Sequence, residues 1–269
     1  MSVRLGVTTT SDGGVAKGTK DAPEPVPLVQ DIDFRRTVAM VELHYQASAR
    51  VGIGLSLPRL HMDTENNQTG VESTDQGWMD LGAWLLWFPW EEEGEHPPHE
   101  FLSLHNLSFS FGITLPTGDE LIGSTPALHF SQLGSGSIDV RVGAACNAPV
   151  SGTVRLFAGT DAVFDAEGDT GGFRSGTTYD WRIGATWTPL PWLCAMLSFD
   201  AIYKEPSLLD QVELVESGGT WWFVTPGAVV RAWPGVVFDV AVAIPVYRRV
   251  HSVQTFTDNV WTFGMTFSW

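Results

Sequence analysis

Three features of this sequence predict a transmembrane antiparallel up-and-down β-barrel of about twelve strands. The first is the closing segment, residues 258–269, D-N-V-W-T-F-G-M-T-F-S-W. Here Trp261, Phe263, Met265, Phe267 and Trp269 alternate with Thr262, Gly264, Thr266 and Ser268. Successive strand side chains point to opposite faces, so one face is large and apolar and the other small or hydroxylated. Alternation over about ten residues, ending on an aromatic, is what a strand crossing lipid requires. The second feature is the recurrence of this pattern along the chain, with connections alternately short and long. The third is composition: 43% hydrophobic and only 17% charged residues, with 12 Trp and 28 Gly among 269 residues. Soluble domains carry about a quarter charged residues, whereas tryptophans gather at the headgroup level of barrels.

In chain order, Val3, Leu5 and Val7 begin a first strand, followed by a polar Gly- and Pro-containing loop over residues 11–30. Ala39, Val41, Leu43 and Tyr45 form the apolar face of a second strand, with Met40, Glu42, His44 and Gln46 opposite. After the turn Ser48-Ala49-Arg50, Val51, Ile53, Leu55 and Leu57 alternate with Gly52, Gly54 and Ser56. A polar loop is expected over 61–76, then a strand with Met79, Leu81, Ala83, Leu85 and Trp87 outward and Asp80 and Gly82 inward. The acidic connection 90–100 leads to a strand ending at Leu115. Residues 138–145, 154–159, 179–187, 195–204, 222–231 and 238–244 repeat the alternation, with turns at 149–152, 189–192 and 233–235 and longer loops on the opposite side. The whole chain, 1–269, reads as one barrel domain, with short periplasmic turns and long extracellular loops.

Charge placement follows the same parity. Arg4, Glu42, Asp80, Asp139, Arg141, Arg155, Asp161, Asp180, Arg182, Asp200, Lys204, Arg231 and Asp239 all fall opposite the large apolar set. A charge facing lipid at mid-depth costs about 2–4 kcal/mol, which selects against any other arrangement. Aromatics mark two girdles. Trp87, Trp90, Trp187, Trp192, Trp233 and Trp269 lie on the short-turn side, and Tyr203, Trp221, Trp222, Tyr247 and Trp261 on the other.

The formal charge of −16 and the lack of basic clusters exclude nucleic acid as a partner. Cys146 and Cys194 form no metal or redox spacing and no haem attachment motif occurs, so no cofactor is expected. His96-x-x-His99, beside Glu95 and Glu100, offers donors for a divalent metal but lacks a further fixed ligand, and no metal site is assigned. His44 is the only mid-strand histidine, and it faces inward, away from any lipid-facing serine. No nucleophile–base pair of the right parity appears, so the chain does not read as an enzyme. The start Met1-Ser2-Val3-Arg4 leads straight into a strand pattern with no cleavable signal, and the barrel reading places an export signal upstream of this numbering.

Two segments carry a resemblance. F-G-I-T-L-P-T-G-D (111–119) and, one loop later, L-G-S-G-S-I-D-V-R-V-G (133–143) are similar to the outer-membrane transporters grouped with the meta-pathway phenol-degradation barrels. In that group a K-x-P-T-G-D strand end precedes a long loop and G-T-G-S-x-D opens the next strand; Thr114 stands here where Lys is common. The resemblance implies a bacterial outer-membrane channel.

Two functional expectations follow. The first is a monomeric channel for passive passage of small solutes, apolar or aromatic ones included, through a narrow charged lumen. Glu42, His44, Asp80, Asp139, Arg141, Arg155, Asp180, Arg182, Asp200, Arg231 and Asp239 would line it and set selectivity. The partners are then the outer-membrane bilayer with its lipopolysaccharide and the solute. The second is a structural barrel with a plugged lumen, an anchor or subunit of a cell-envelope complex, whose long loops dock protein partners.

Overall fold

The computed structural model describes residues 1–17, 20–21, 32–66, 71–89, 107–118, 137–166, 173–214, 217–250 and 253–269. Twelve staves form the wall: β1 (Ser2–Lys17), β2 (Ile32–Ser48), β3 (Val51–Asn66), β4 in two runs (Val71–Trp78 and Leu81–Trp87), β5 (Leu107–Leu115) and β6 (Asp139–Pro149). They continue as β7 (Val154–Asp165), β8 (Thr178–Leu190), β9 (Leu193–Lys204), β10 (Gly219–Trp233), β11 (Val236–Val250) and β12 (Val253–Ser268). Each pairs antiparallel with its neighbours in the chain. The last stave pairs with the first, from Ser2 opposite Ser268 to Lys17 opposite Val253, so the sheet closes on itself. The two chain ends meet there: the Trp269 amide donates to the Met1 carbonyl at 3.2 Å.

Inside and outside are inverted relative to a soluble protein. Ile183, Leu197, Phe111, Ile53, Leu5 and Phe263 point outward and are exposed, Ile183 at 61%. The buried hydrophobic residues described are few: Leu60, Met62, Ala148, Phe223 and Val250. An apolar belt running around the whole wall far exceeds the patches a soluble monomer tolerates, and lipid is the solvent that suits it. Twelve strands about 4.8 Å apart and tilted about 40° enclose a backbone cylinder about 24 Å across. That leaves room for inward side chains.

The described residues of the two expected girdles lie near the ends of the staves. Trp87, Trp187, Trp192, Trp233 and Trp269 are exposed at the short-turn end, and Trp222 and Trp261 are exposed toward the other. Tyr203 shares the outward face with Tyr179, their rings stacked at 6.1 Å. Trp222 packs against Tyr247 with ring centres 4.4 Å apart. Trp221 is a correction: consecutive residues must split between the faces, and Trp221 pairs with inward Ile202 and lies over Gly219. Trp90 and the 90–100 connection lie outside the described residues.

Several loops are shorter than the sequence implies. β1 runs to Lys17, and the 61–76 region is a hairpin in which Asn66 pairs with Val71 and Arg59 with Trp78. The 61–76 hairpin has no sustained apolar period to mark it, and its backbone pairing is joined by side-chain contacts such as Thr74 Oγ1 donating to Asp63 Oδ1 at 2.8 Å. β3, at 16 residues, spans about 40 Å along the axis at about 3.3 Å per residue and about 40° tilt, beyond a hydrocarbon core of about 30 Å. Met79 also departs from expectation. The stave is interrupted at Met79 and Asp80, where the Met79 amide donates to the Pro58 carbonyl at 2.9 Å, and Met79 packs against Leu60 and Met62. β11 and β12 pair only from Val236–Phe267 to Ala243–Val260, and Pro245, which has no N–H to donate, follows two residues later.

This arrangement predicts face-dependent tolerance. Ile183→Lys, on the outward face, lowers unfolding stability in lipid vesicles by about 2–4 kcal/mol, whereas Thr186→Lys, on the inward face, changes it by less than about 1 kcal/mol. Denaturant titration of both variants in one lipid composition checks this.

Candidate functional site: the lumen

The inward face carries two groups of charge. On one side Arg4 of β1 stands between Glu42 of β2, at 3.2 Å, and Asp239 of β11, at 2.9 Å. Arg4 reaches Asp239 across the whole width of β12. It can do so because β12 presents Gly264 at that point: a Cβ there would stand 2.3 Å from Asp239 Oδ1. The clasp therefore joins three staves over the bare backbone of a fourth, at the seam where the chain ends meet.

The second group lies on β6 to β10. The Arg141 Nε sits 2.5 Å from Asp161 Oδ1. Asp180 is opposite Asp161 in the register, and Arg182 is opposite Asp200, to which its Nε donates. Asp200 also accepts from Ser198 Oγ at 2.9 Å and Thr225 Oγ1 at 2.7 Å, so its carboxylate is held from three directions. The two arginines nevertheless remain open: the side chain of Arg141 is 55% exposed and that of Arg182 is 65% exposed. Water reaches both guanidiniums on the inner wall.

The remaining lumen candidates fall in other settings. Asp139 is half-buried and accepts from Ser137 Oγ at 3.5 Å. Arg155 and Arg231 are exposed near the short-turn end, opposite Pro149 and Val237 in the register. Asp80 is buried in a latch: the Gly118 amide donates to its Oδ1 at 2.9 Å and the Leu81 amide donates to Thr117 Oγ1 at 2.9 Å. The P-T-G segment thus secures the break in β4. His44 lies edge-on to Trp84, ring centres 5.3 Å apart. Trp84 was absent from the sequence-based lumen set although its parity with Gly82 marks it; its ring covers Gly54 and forms an aromatic ledge. Phe157 likewise covers Gly184, and Phe223 is buried beside Asp200. Asp161 and Lys204 belong to the same wall. Among the described residues no three His, Cys, Asp or Glu side chains are placed to hold a metal ion, while His96 and His99 lie outside them. Cys146 faces outward and Cys194 inward, both as free thiols.

The chain superimposes on solved outer-membrane barrels over nearly its full length. The crystal structure of the COG4313 outer membrane channel from Pseudomonas putida F1 matches 99% of this chain and 95% of its own, with a TM-score of 0.70 and 11% identity. This chain has the fold of an outer-membrane barrel. The β domain of the Bordetella autotransporter BrkA matches at TM-score 0.59 and 8% identity, over 100% of this chain and 99% of that one. The Pseudomonas putida toluene transporter TodX matches at 0.52 and 8% identity, over 100% and 90%. No protein-family model matches the sequence. No curated protein matches it either. A channel and an autotransporter domain share the architecture, so function rests on the lumen and not on the fold.

The seam clasp makes a prediction. Arg4→Ala and Gly264→Ala each lower unfolding stability by about 1–2 kcal/mol, because each removes the charge-assisted hydrogen bond between Arg4 and Asp239. The double variant costs little more than either single one, a non-additivity that a double-mutant cycle by denaturant unfolding measures directly.

Proposed function

We propose that the protein is a bacterial outer-membrane channel through which small solutes pass passively, without catalysis. The observation that carries this reading is the exposure of Arg141 and Arg182 on the inner wall. A lumen plugged by its own side chains would bury such groups against partners, since an unshielded interior guanidinium is costly. The anchor reading, with a filled lumen, lacks that support. The neighbouring COG4313 protein is an outer membrane channel, which favours the same reading.

The lumen also limits the solute. Its middle is lined by Arg–Asp pairs of both signs, which favour polar or zwitterionic molecules over bare hydrocarbons. The Trp84–His44 ledge adds one flat surface on which a ring can rest. Glu42, Asp139, Asp180 and Asp239 with Arg155 and Arg231 complete the selectivity set, and the overall charge of −16 favours cations at the mouth. TodX is named as a toluene transporter; for the present chain a polar, ring-bearing solute fits the charged wall better than toluene itself.

Planar-bilayer recording tests the proposal. The purified protein gives discrete conductance steps with a modest cation preference under a salt gradient. Replacing both Arg141 and Arg182 by alanine raises the cation-to-anion permeability ratio by about twofold or more. A folded barrel that conducts in neither form would overturn the channel reading.

A further inference from the structure

Between the Trp84–His44 ledge and the charges on β6 to β8 the inner wall is bare, and the register shows why. Trp84 of β4, Gly112 of β5 and Arg141 of β6 stand side by side on one rung of the ladder, on the inward face. A Cβ at Gly112 would lie 3.3 Å from the Arg141 Cβ, 3.5 Å from the Ala83 carbonyl oxygen and 3.7 Å from the Trp84 Cβ. No indole or guanidinium atom comes as near. Both side chains lean away from Gly112: the indole packs over Gly54, and the guanidinium turns to Asp161.

The next inward rung is equally open. Leu86, Ser110, Gly143, Asp161 and Asp180 follow one another across β4 to β8, so small residues again separate an apolar wall from a charged one. The two rungs make a trough floored by Gly112, Ser110 and Gly143. Strands two apart in a sheet lie about 10 Å from each other, which gives the trough the width of one ring.

The charged wall offers both signs. Arg141 spends its Nε on Asp161 while its side chain stays 55% exposed, which leaves the Nη side of the fork for a carboxylate from outside the chain. Asp180, opposite Asp161, is half-buried. Arg141 and Arg182 are engaged by Asp161 and Asp200, so among the described residues Asp180 has no ion pair of its own. An open guanidinium edge and an unpaired carboxylate, set across a bare floor from an indole, match a molecule that carries carboxylate, ammonium and ring on one short stem.

We propose that this trough is a subsite for aromatic α-amino acids, with the ring over Gly112 against Trp84, the carboxylate on the Arg141 Nη atoms and the ammonium on Asp180. The subsite rests on the channel reading above for the passage of its solute, but binding itself needs no conduction.

The test is calorimetric titration of the purified, detergent-solubilised protein with L-phenylalanine, 3-phenylpropionate, phenethylamine and L-alanine. The last three lack the ammonium, the carboxylate and the ring in turn. Phenylalanine binds saturably, and each of the others binds at least about tenfold more weakly. Three variants shift this ranking one group at a time. Asp180→Asn narrows the gap to 3-phenylpropionate to about twofold, Arg141→Gln narrows that to phenethylamine, and Trp84→Leu that to alanine. Absence of phenylalanine binding, equal binding of all four, or folded variants that weaken binding without changing the ranking overturns the proposal. Planar-bilayer recording of the same preparation keeps the two readings apart. A barrel that conducts nothing yet ranks the ligands in this way leaves the subsite standing and overturns only the channel; one that conducts without ranking them overturns only the subsite.

Discussion

Closure of the backbone hydrogen-bond ladder is the constraint on which the rest depends. In hydrocarbon, an unpaired N–H or C=O has no water to turn to, so a strand can cross only as part of a ring. Here β12 completes that ring against β1, and the first and last residues are hydrogen-bonded. Once the ring is closed, each residue faces either lipid or lumen, and the two-residue period of a strand decides which. The large apolar side chains go out and the charges go in. Arg4, reaching over Gly264 to Asp239, then secures the seam with side chains as well as backbone.

The same inversion shapes the lumen. Charges that cannot face lipid must share a cylinder only about 24 Å across at the backbone, so they meet in cross-strand pairs such as Arg141–Asp161 and Arg182–Asp200. Pairing gives each of these carboxylates a guanidinium partner, while the open sides of Arg141 and Arg182 remain exposed. A wall of paired but exposed charges is the feature on which the channel proposal rests. The aromatic ledge of Trp84 and His44 interrupts this wall with a flat apolar surface.

Beyond the bilayer the structure changes character. β3 and its neighbours extend past the depth of lipid, and there the wall is held by backbone pairing, by the Asp80–Gly118 and Leu81–Thr117 latch, and by buried Ser217, whose hydroxyl accepts from the Ser207 amide. The P-T-G segment that carries the family resemblance therefore has a local physical role: it caps the point where β4 is broken, and fixes the root of the connection that follows.

Much of this could be read from the chain before any coordinates. The strict alternation in residues 258–269 and its repetition were enough for the barrel and the strand number, because period two and the cost of a charge in lipid act locally. Trp221 shows where the reading slipped: two adjacent tryptophans cannot both be outward. The hairpin over 61–76 was hidden because it carries no sustained apolar period. Trp84 was legible by parity but passed over. What only the tertiary structure decided is which charges meet. Arg4 and Asp239 are 235 residues apart, and they touch because closure sets β1 beside β12 and the stagger of the ladder aligns them across Gly264. A rim sheet, in which Phe173–Arg174 pairs with Leu208–Leu209, is likewise assembled from two separate connections, since cross-strand register and loop packing are properties of the closed ring and not of any one segment.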